Sequence, residues 1–217
     1  PISTSLRPRS ASVTHARPLP QNERRAFIGP VINGAGFILT EDEAASLLAK
    51  GDAWRKIIRP YLVGDDVLNR PDHGPSRWVI DFGFLTLEET MKFPAAADIV
   101  RARVKPDRDN NRDDHYRKYW WQFARPIREM REVLGPLSRY IAAPAQGKRI
   151  VCAWQDVWTC PSNLTIVFGF DDDYAMGVLS SFAHEVWMRE QASSLEDRIR
   201  YTPSSVFTTF PWPDRVP

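Results

Sequence analysis

Short β-branched apolar runs and short helical segments follow one another along this chain in no repeating order. Strand-like runs lie near residues 77–83 and then near 150–154, 157–160 and 164–170. Helical segments separate them irregularly, whereas a doubly wound parallel sheet needs a regular strand–helix–strand repeat. We therefore predict an α+β fold of mixed helices and short, largely antiparallel sheets.

Two helix starts are marked by capping boxes. In Thr40-Glu41-Asp42-Glu43 and Thr86-Leu87-Glu88-Glu89, a glutamate follows a threonine by three residues, so each side chain can bond a free backbone N–H of the other residue. A further helix is predicted from about 174 to 190, and a polar loop over 105–115. The ending SSVFTTFPWP predicts a short strand and a proline-rich turn.

The first residues differ in composition from the rest of the chain. Residues 1–25 are rich in arginine, serine and proline and have no apolar periodicity, so we predict a linker or extended arm. Residues 26–217 are long enough to form one domain with its own core.

Charge, hydropathy and cysteine content exclude several classes of protein. The net charge is only +2, so any electrostatic argument about a partner must be local. No apolar run approaches the roughly 20 residues of a membrane span. Cys152 and Cys160, the two cysteines, do not suggest a disulfide framework. We expect a reducing, cytoplasmic setting and no membrane partner.

The stretch DDHYRKYWWQFARP, residues 113–126, combines aromatic rings with cations. Helical spacing puts Tyr116, Trp120 and Phe123 on one side, which favours core packing, while Trp121 faces elsewhere and could be exposed. The cations across and around this stretch could contact DNA phosphates. Aspartates lie among them, so a solvated face with paired charges is the alternative interpretation.

The run Asp171-Asp172-Asp173 also has two interpretations. Its carboxylates could bind Mg²⁺, since that ion prefers oxygen ligands. The run also precedes a predicted helix, where aspartate caps free N–H groups and meets the positive end of the helix dipole, and this interpretation is favoured. No catalytic constellation stands out elsewhere in the chain.

Several segments, in one order, resemble a known family. They are GAGFILT, RPYLVGDDVLNRPDHGPSRWVIDFG, VKPDRD, YWWQFARP, FDDDYAMGVLSSFAHEVW and RYTPSSVFTTFPWP. Together they resemble the C-terminal target-recognition region of MmeI-like type IIG/IIL DNA N6-adenine methyltransferases, which is related to the TaqI-like specificity domain. The resemblance spans roughly residues 26 to 213.

The resemblance implies a division of labour within a larger enzyme. In that family an upstream domain binds S-adenosylmethionine, flips the adenine and transfers the methyl group, and an Asn-Pro-Pro-Tyr-type motif grips the base. This chain has neither a Pro-Pro pair nor an F-x-G-x-G loop. We therefore expect no cofactor and no catalytic residue here. The expected partners are double-stranded DNA and the enzyme's own N-terminal methyltransferase domain.

The resemblance also points to the DNA-contacting residues. Relatives often carry an Arg-Val-Ser-Lys-like run near the segment matching residues 143–149, whereas this chain has Ala-Gln-Gly before Lys148 and Arg149. We predict that Gln146, Lys148 and Arg149 read bases in the major groove. Predicted to contact phosphates are Lys105, Arg108, Arg112 and Lys118. The alternative functions are a Mg²⁺-dependent nuclease that uses the three aspartates, and a domain that docks a partner subunit through exposed tryptophans.

Overall fold

The computed structural model describes residues 16–195 and 198–213, which form short helices and short strands in an irregular order. The α-helices are α1 (Glu41–Leu48), α2 (Gly64–Asn69), α3 (Leu87–Thr90), α4 (Pro94–Arg103), α5 (Lys105–Asp109), α6 (Asp114–Lys118), α7 (Arg128–Leu134), α8 (Asp173–Leu179) and α9 (Phe182–Gln191). The strands are β1 (Ala26–Ile28), β2 (Ile38–Leu39), β3 (Ile58–Leu62), β4 (Arg77–Ile80), β5 (Arg139–Pro144), β6 (Gln146–Gly147), β7 (Ala153–Asp156), β8 (Cys160–Pro161), β9 (Thr165–Phe168), β10 (Ser193–Leu195) and β11 (Arg198–Arg200).

The strands of the described residues form three small sheets. Their strand orders are β1-β9-β5-β7, β2-β4-β3-β8 and β10-β11-β6. Within these sheets the pairs are antiparallel, apart from the parallel pair of β3 with β8. The predicted α+β class with short, largely antiparallel sheets is confirmed.

Both capping boxes are present where the sequence placed them. Ahead of α1, the Glu43 backbone N–H donates to Thr40 Oγ1 (3.2 Å) and the Thr40 N–H donates to Glu43 Oε2 (3.0 Å). Thr86 and Glu89 make the same exchange ahead of α3. These bonds join residues three apart, so a local sequence pattern is enough to predict them.

The prediction of one continuous helix over 174–190 is wrong, because this region forms two helices, α8 and α9. Ser181 lies between the two, and its Oγ accepts from the backbone N–H of His184 (3.2 Å). Serine favours this capping position because its hydroxyl competes with the backbone for hydrogen bonds. The break turns one helix into a pair that packs on the C-terminal segment.

Two further local predictions are corrected. The first half of the predicted loop at 105–115 is helix α5, which starts with proline in its first turn. Proline is tolerated there because the missing N–H would have no helical partner. The tail is not a strand: the N–H groups of Val206 and Thr208 donate to the carbonyls of Thr202 and Pro203 (both 2.9 Å), which makes it a helical turn.

The rings of residues 116–123 pack mainly into the core, and Trp121 is among them. Trp121 is only 7% exposed, and its Nε1 donates to the carbonyl of Leu85 (2.8 Å). The interpretation that Trp121 could be exposed is therefore wrong. The reason is tertiary, since its hydrogen-bond partner lies 36 residues away.

Part of the predicted N-terminal arm contacts the C-terminal segment. Asn22 is 1% exposed, and its Nδ2 donates to the carbonyls of Phe207 (3.0 Å) and Phe210 (2.8 Å). A buried amide needs such partners, so this contact fixes the segment around residue 22 against the core. The first 15 residues of the predicted arm lie outside the described residues.

Neither cysteine is part of a disulfide among the described residues. Cys152 and Cys160 are free thiols, and burial raises the pKa of each to about 12. Both thiols therefore stay protonated near neutral pH. No helix within residues 16–195 and 198–213 is long and apolar enough to cross a membrane.

His184 is a buried histidine at the start of α9. Its Nδ1 lies 2.8 Å from the Leu179 carbonyl and its Nε2 lies 3.0 Å from the Tyr201 hydroxyl. A carbonyl only accepts, so Nδ1 carries the proton and the neutral ring accepts at Nε2 from Tyr201. Burial lowers the pKa of His184 below its ordinary value.

We expect His184 to make the protein less stable in mild acid. The folded-state pKa lies below the unfolded value of about 6.5, so the unfolded chain takes up the proton first. The contribution of the neutral His184 ring to the free energy of unfolding is therefore fully present above pH 6.5. It is lost as the pH falls through the pKa of His184 in the folded protein. Urea unfolding of the wild type and of His184→Gln, at pH 8 and pH 5.5, measures this. Equal losses of unfolding free energy in the two proteins would contradict it.

Candidate nucleic-acid interface

One groove collects the three residues predicted to read bases. It lies between α2 and the segment 146–151 and has a volume of about 670 Å³. We call it the α2 groove. Its lining residues are Gly64, Asp65, Leu68, Asn69, Gln146, Gly147, Lys148, Arg149, Val151 and Leu164. The structure therefore brings Gln146, Lys148 and Arg149 together on one concave surface.

The backbone around Gln146 is held from both sides. The N–H of Ala145 donates to the Leu164 carbonyl (2.8 Å), and the Ala145 carbonyl accepts from the N–H of Tyr201 (2.9 Å). In β6, Gln146 pairs with Arg200 of β11. Directly opposed residues of an antiparallel pair present their side chains on the same face, so the exposed Arg200 neighbours Gln146.

The segment after Gln146 is held by α9. Arg189 donates from Nη2 to the Lys148 carbonyl (2.8 Å) and is itself paired with Glu185 (2.7 Å). Lys148 and Arg149 are exposed, and their side chains form no ion pair with any residue in the described part of the chain. A fixed backbone with unpaired cationic side chains is suited to bind a charged or polar ligand.

The predicted phosphate contacts lie elsewhere, on α5, α6 and the turn between them. Lys105 is partly buried and pairs with Asp109 on its own helix (2.5 Å). Arg112 is exposed and has no ion pair within the described residues. Lys118 is also exposed, and its Nζ lies 5.3 Å from the centre of the Tyr119 ring. None of these residues lines the α2 groove.

Arg108 is inside the fold rather than on a DNA-facing surface. It is 3% exposed, its Nη2 donates to the Ile32 carbonyl (3.1 Å), and its guanidinium carbon lies 4.8 Å from the centre of the Tyr116 ring. Its burial lowers the pKa of the guanidinium. A phosphate cannot reach a side chain covered in this way, so the phosphate role predicted for Arg108 does not fit the fold.

Of the three aspartates at 171–173, Asp172 caps the start of α8. Asp172 Oδ1 accepts from the backbone N–H of Ala175 (3.0 Å), and Asp173 pairs with Arg139 (2.9 Å). Within the described residues, no group of three or more His, Cys, Asp or Glu could hold a metal ion. The capping interpretation of this run is the one that the geometry supports.

Comparison with known proteins decides what kind of domain this is. Residues 14–214 match the family described as MmeI, target recognition domain.

The chain belongs to the MmeI target recognition domain family.

It is therefore a target recognition domain of the MmeI type. Among solved structures, it is similar to the type IIL restriction-modification enzyme MmeI in complex with DNA, with 23% identity and a TM-score of 0.66. This similarity covers 88% of the present chain and 25% of that enzyme's chain. No protein with a curated description matches.

One wall of the α2 groove in this MmeI-family domain was not predicted. Asp65, Leu68 and Asn69 come from α2, within a stretch whose glycine, aspartate and asparagine residues resemble a loop. The signal for a helix is the acidic pair after Gly64, since aspartates favour the first helical turn. Leu164 is contributed by a turn about 100 residues further along the chain, which no local pattern could link to α2.

Proposed function

We propose that the α2 groove reads base edges of the target DNA through Gln146, Lys148 and Arg149. Arginine and lysine can bond guanine, and glutamine can bond adenine, with about 1–3 kcal/mol of discrimination for each good bidentate contact. The observation that carries the proposal is the convergence of these three exposed side chains, on a backbone held from both sides, in one groove.

We further propose that Lys105, Arg112 and Lys118 contact DNA phosphates. Phosphate contacts supply affinity and orientation without sequence information. Arg112 and Lys118 have exposed side chains suited to this role, whereas Lys105 must first give up its pair with Asp109. This arrangement separates the positioning of the duplex from the reading of its bases.

The chemistry belongs to another part of the enzyme in this proposal. A methyltransferase domain on the N-terminal side of this chain would bind S-adenosylmethionine and methylate an adenine at N6, and the protein would work in the cytoplasm. Flipping a base costs a few kcal/mol, so reading the sequence first limits that cost to the correct site. Binding energy from the α2 groove would select the site.

Replacing Arg149 with alanine is expected to weaken the preference for one base, at one position of the target, by about 5- to 150-fold. The measurement is selection of bound duplexes from a random DNA library, followed by sequencing. Arg112→Ala is the matched control, because loss of a phosphate contact weakens binding evenly and reduces its salt dependence. If Arg149→Ala also weakened binding evenly on all sequences, the base-reading role would be wrong.

A further inference from the structure

Two leucines are exposed inside the α2 groove, whose other exposed side chains are polar or charged. Leu68 is 37% exposed and Leu164 is 53% exposed, and both line the groove beside Asn69, Gln146 and Lys148. Among the exposed side chains of the groove, the two leucines are the ones that cannot bond polar base edges. They are therefore candidates for contact with an apolar group of the ligand.

The fold holds Leu164 in one position. Its carbonyl accepts from Ala145, and its N–H donates to Ser162 Oγ (3.2 Å). The backbone of Gly64 approaches so closely that a Cβ there would lie 2.6 Å from the Leu164 carbonyl oxygen. With its backbone fixed on both sides, Leu164 presents its exposed side chain to the groove.

Leu68 lies against the loop that carries the predicted base readers. It is on α2, and its Cδ2 would be 3.9 Å from a Cβ placed on Gly147. The leucine thus occupies space beside the backbone between Gln146 and Lys148. An apolar surface is therefore built directly next to the side chains proposed to bond bases.

We propose that Leu68 and Leu164 contact the C5 methyl group of a thymine in the target DNA. This inference rests on the proposed function of the α2 groove. Of the four bases in unmodified DNA, only thymine presents a methyl group in the major groove, and the other edges there present mainly hydrogen-bonding groups. A leucine over a polar base edge would leave the hydrogen-bonding groups of that edge without a partner, which is unfavourable. A leucine over a methyl group removes apolar surface from water, which is favourable.

The test uses two random duplex libraries that differ only in carrying thymine or uracil, because uracil lacks the methyl group and keeps the same hydrogen-bonding groups. In the thymine library, the wild-type protein is expected to select thymine at one position. In the uracil library, its preference for uracil at that position should be about fourfold weaker, because the methyl group is missing. In Leu164→Ala, we expect the preference at that position to be equal in the two libraries. In Leu68→Ala, we expect the difference between the libraries to be smaller than in the wild type. Leu87→Ala is the matched control, since Leu87 is similarly exposed (38%) but lies on α3, outside the groove.

The possible results separate the two proposals. Selection of the same sequences with the same preferences from both libraries would overturn the methyl contact and leave the base-reading role of the groove intact. A thymine-to-uracil difference that survived in Leu164→Ala and Leu68→Ala would assign the methyl contact to other residues and overturn the inference. Selection of no sequence from either library would overturn the proposed function itself, and the inference with it.

Discussion

Asp81→Asn is expected to lower the free energy of unfolding by about 3 kcal/mol, because it leaves two arginines without their buried counter-charge. The Asp81 side chain is fully buried, 3.2 Å from Arg59 Nη1 and 2.9 Å from Arg131 Nη2. Arg59 also donates to the carbonyls of Val157 and Trp158. The carboxylate therefore joins the end of β4 to β3, α7 and the turn before β8.

The pH dependence of this ionic cluster has a definite sign. Burial by itself would raise the pKa of Asp81, but the charges of Arg131 and Arg59 and the N–H of Gly83 outweigh it, so the pKa lies below its usual value. Stability from the carboxylate is thus present above the unfolded pKa of about 3.9 and is lost as pH falls below it. The difference between wild type and Asp81→Asn should shrink towards pH 3.

Urea unfolding at pH 7 and pH 3 measures both effects. Asp98→Asn is a suitable control, because Asp98 forms an exposed pair with Arg101 on α4 and its loss should change stability little. An Asp81→Asn protein as stable as the wild type at pH 7 would show that the two arginines do not need the carboxylate.

Gly29→Ala is expected to lower the free energy of unfolding by about 2–3 kcal/mol, because the added methyl group meets backbone that cannot move aside. A Cβ on residue 29 would lie 2.2 Å from the Ser162 carbonyl oxygen and 3.1 Å from the Pro161 carbonyl carbon. Ser162 is held in place, since its N–H donates to Leu62 (2.8 Å) and its carbonyl accepts from Thr165 (3.0 Å). The same turn carries Leu164, so the substitution should also disturb the α2 groove.

Gly177→Ala is the matched control for this substitution. Gly177 lies within α8, and a Cβ there would have no neighbour within 4 Å. Alanine favours the helix over glycine, so this variant should be more stable by up to about 1 kcal/mol. Thermal or urea unfolding of both variants compares them. Equal stability of Gly29→Ala and wild type would mean that the Ser162 turn yields easily.

Patterns within a few residues account for what could be predicted of the fold. The Thr40 and Thr86 caps depend on partners three residues away, and the irregular mixture of β-branched runs and helical segments indicates the α+β class. The grouping of Gln146, Lys148 and Arg149 was predictable for the same reason, since they lie within four residues. Their role as base readers remains a prediction.

The sequence by itself determined the fold class, the starts of α1 and α3 and one segment of the candidate site, because hydrogen-bonding caps and apolar periodicity act over a few residues. Only the tertiary structure decided that Arg108 and Trp121 are covered and that α2 and Leu164 complete the groove around residues 146–149. Whether a charge or a ring faces water depends on which distant segment packs over it. That packing is set by the apolar surface buried across the whole chain, which no short stretch of sequence contains.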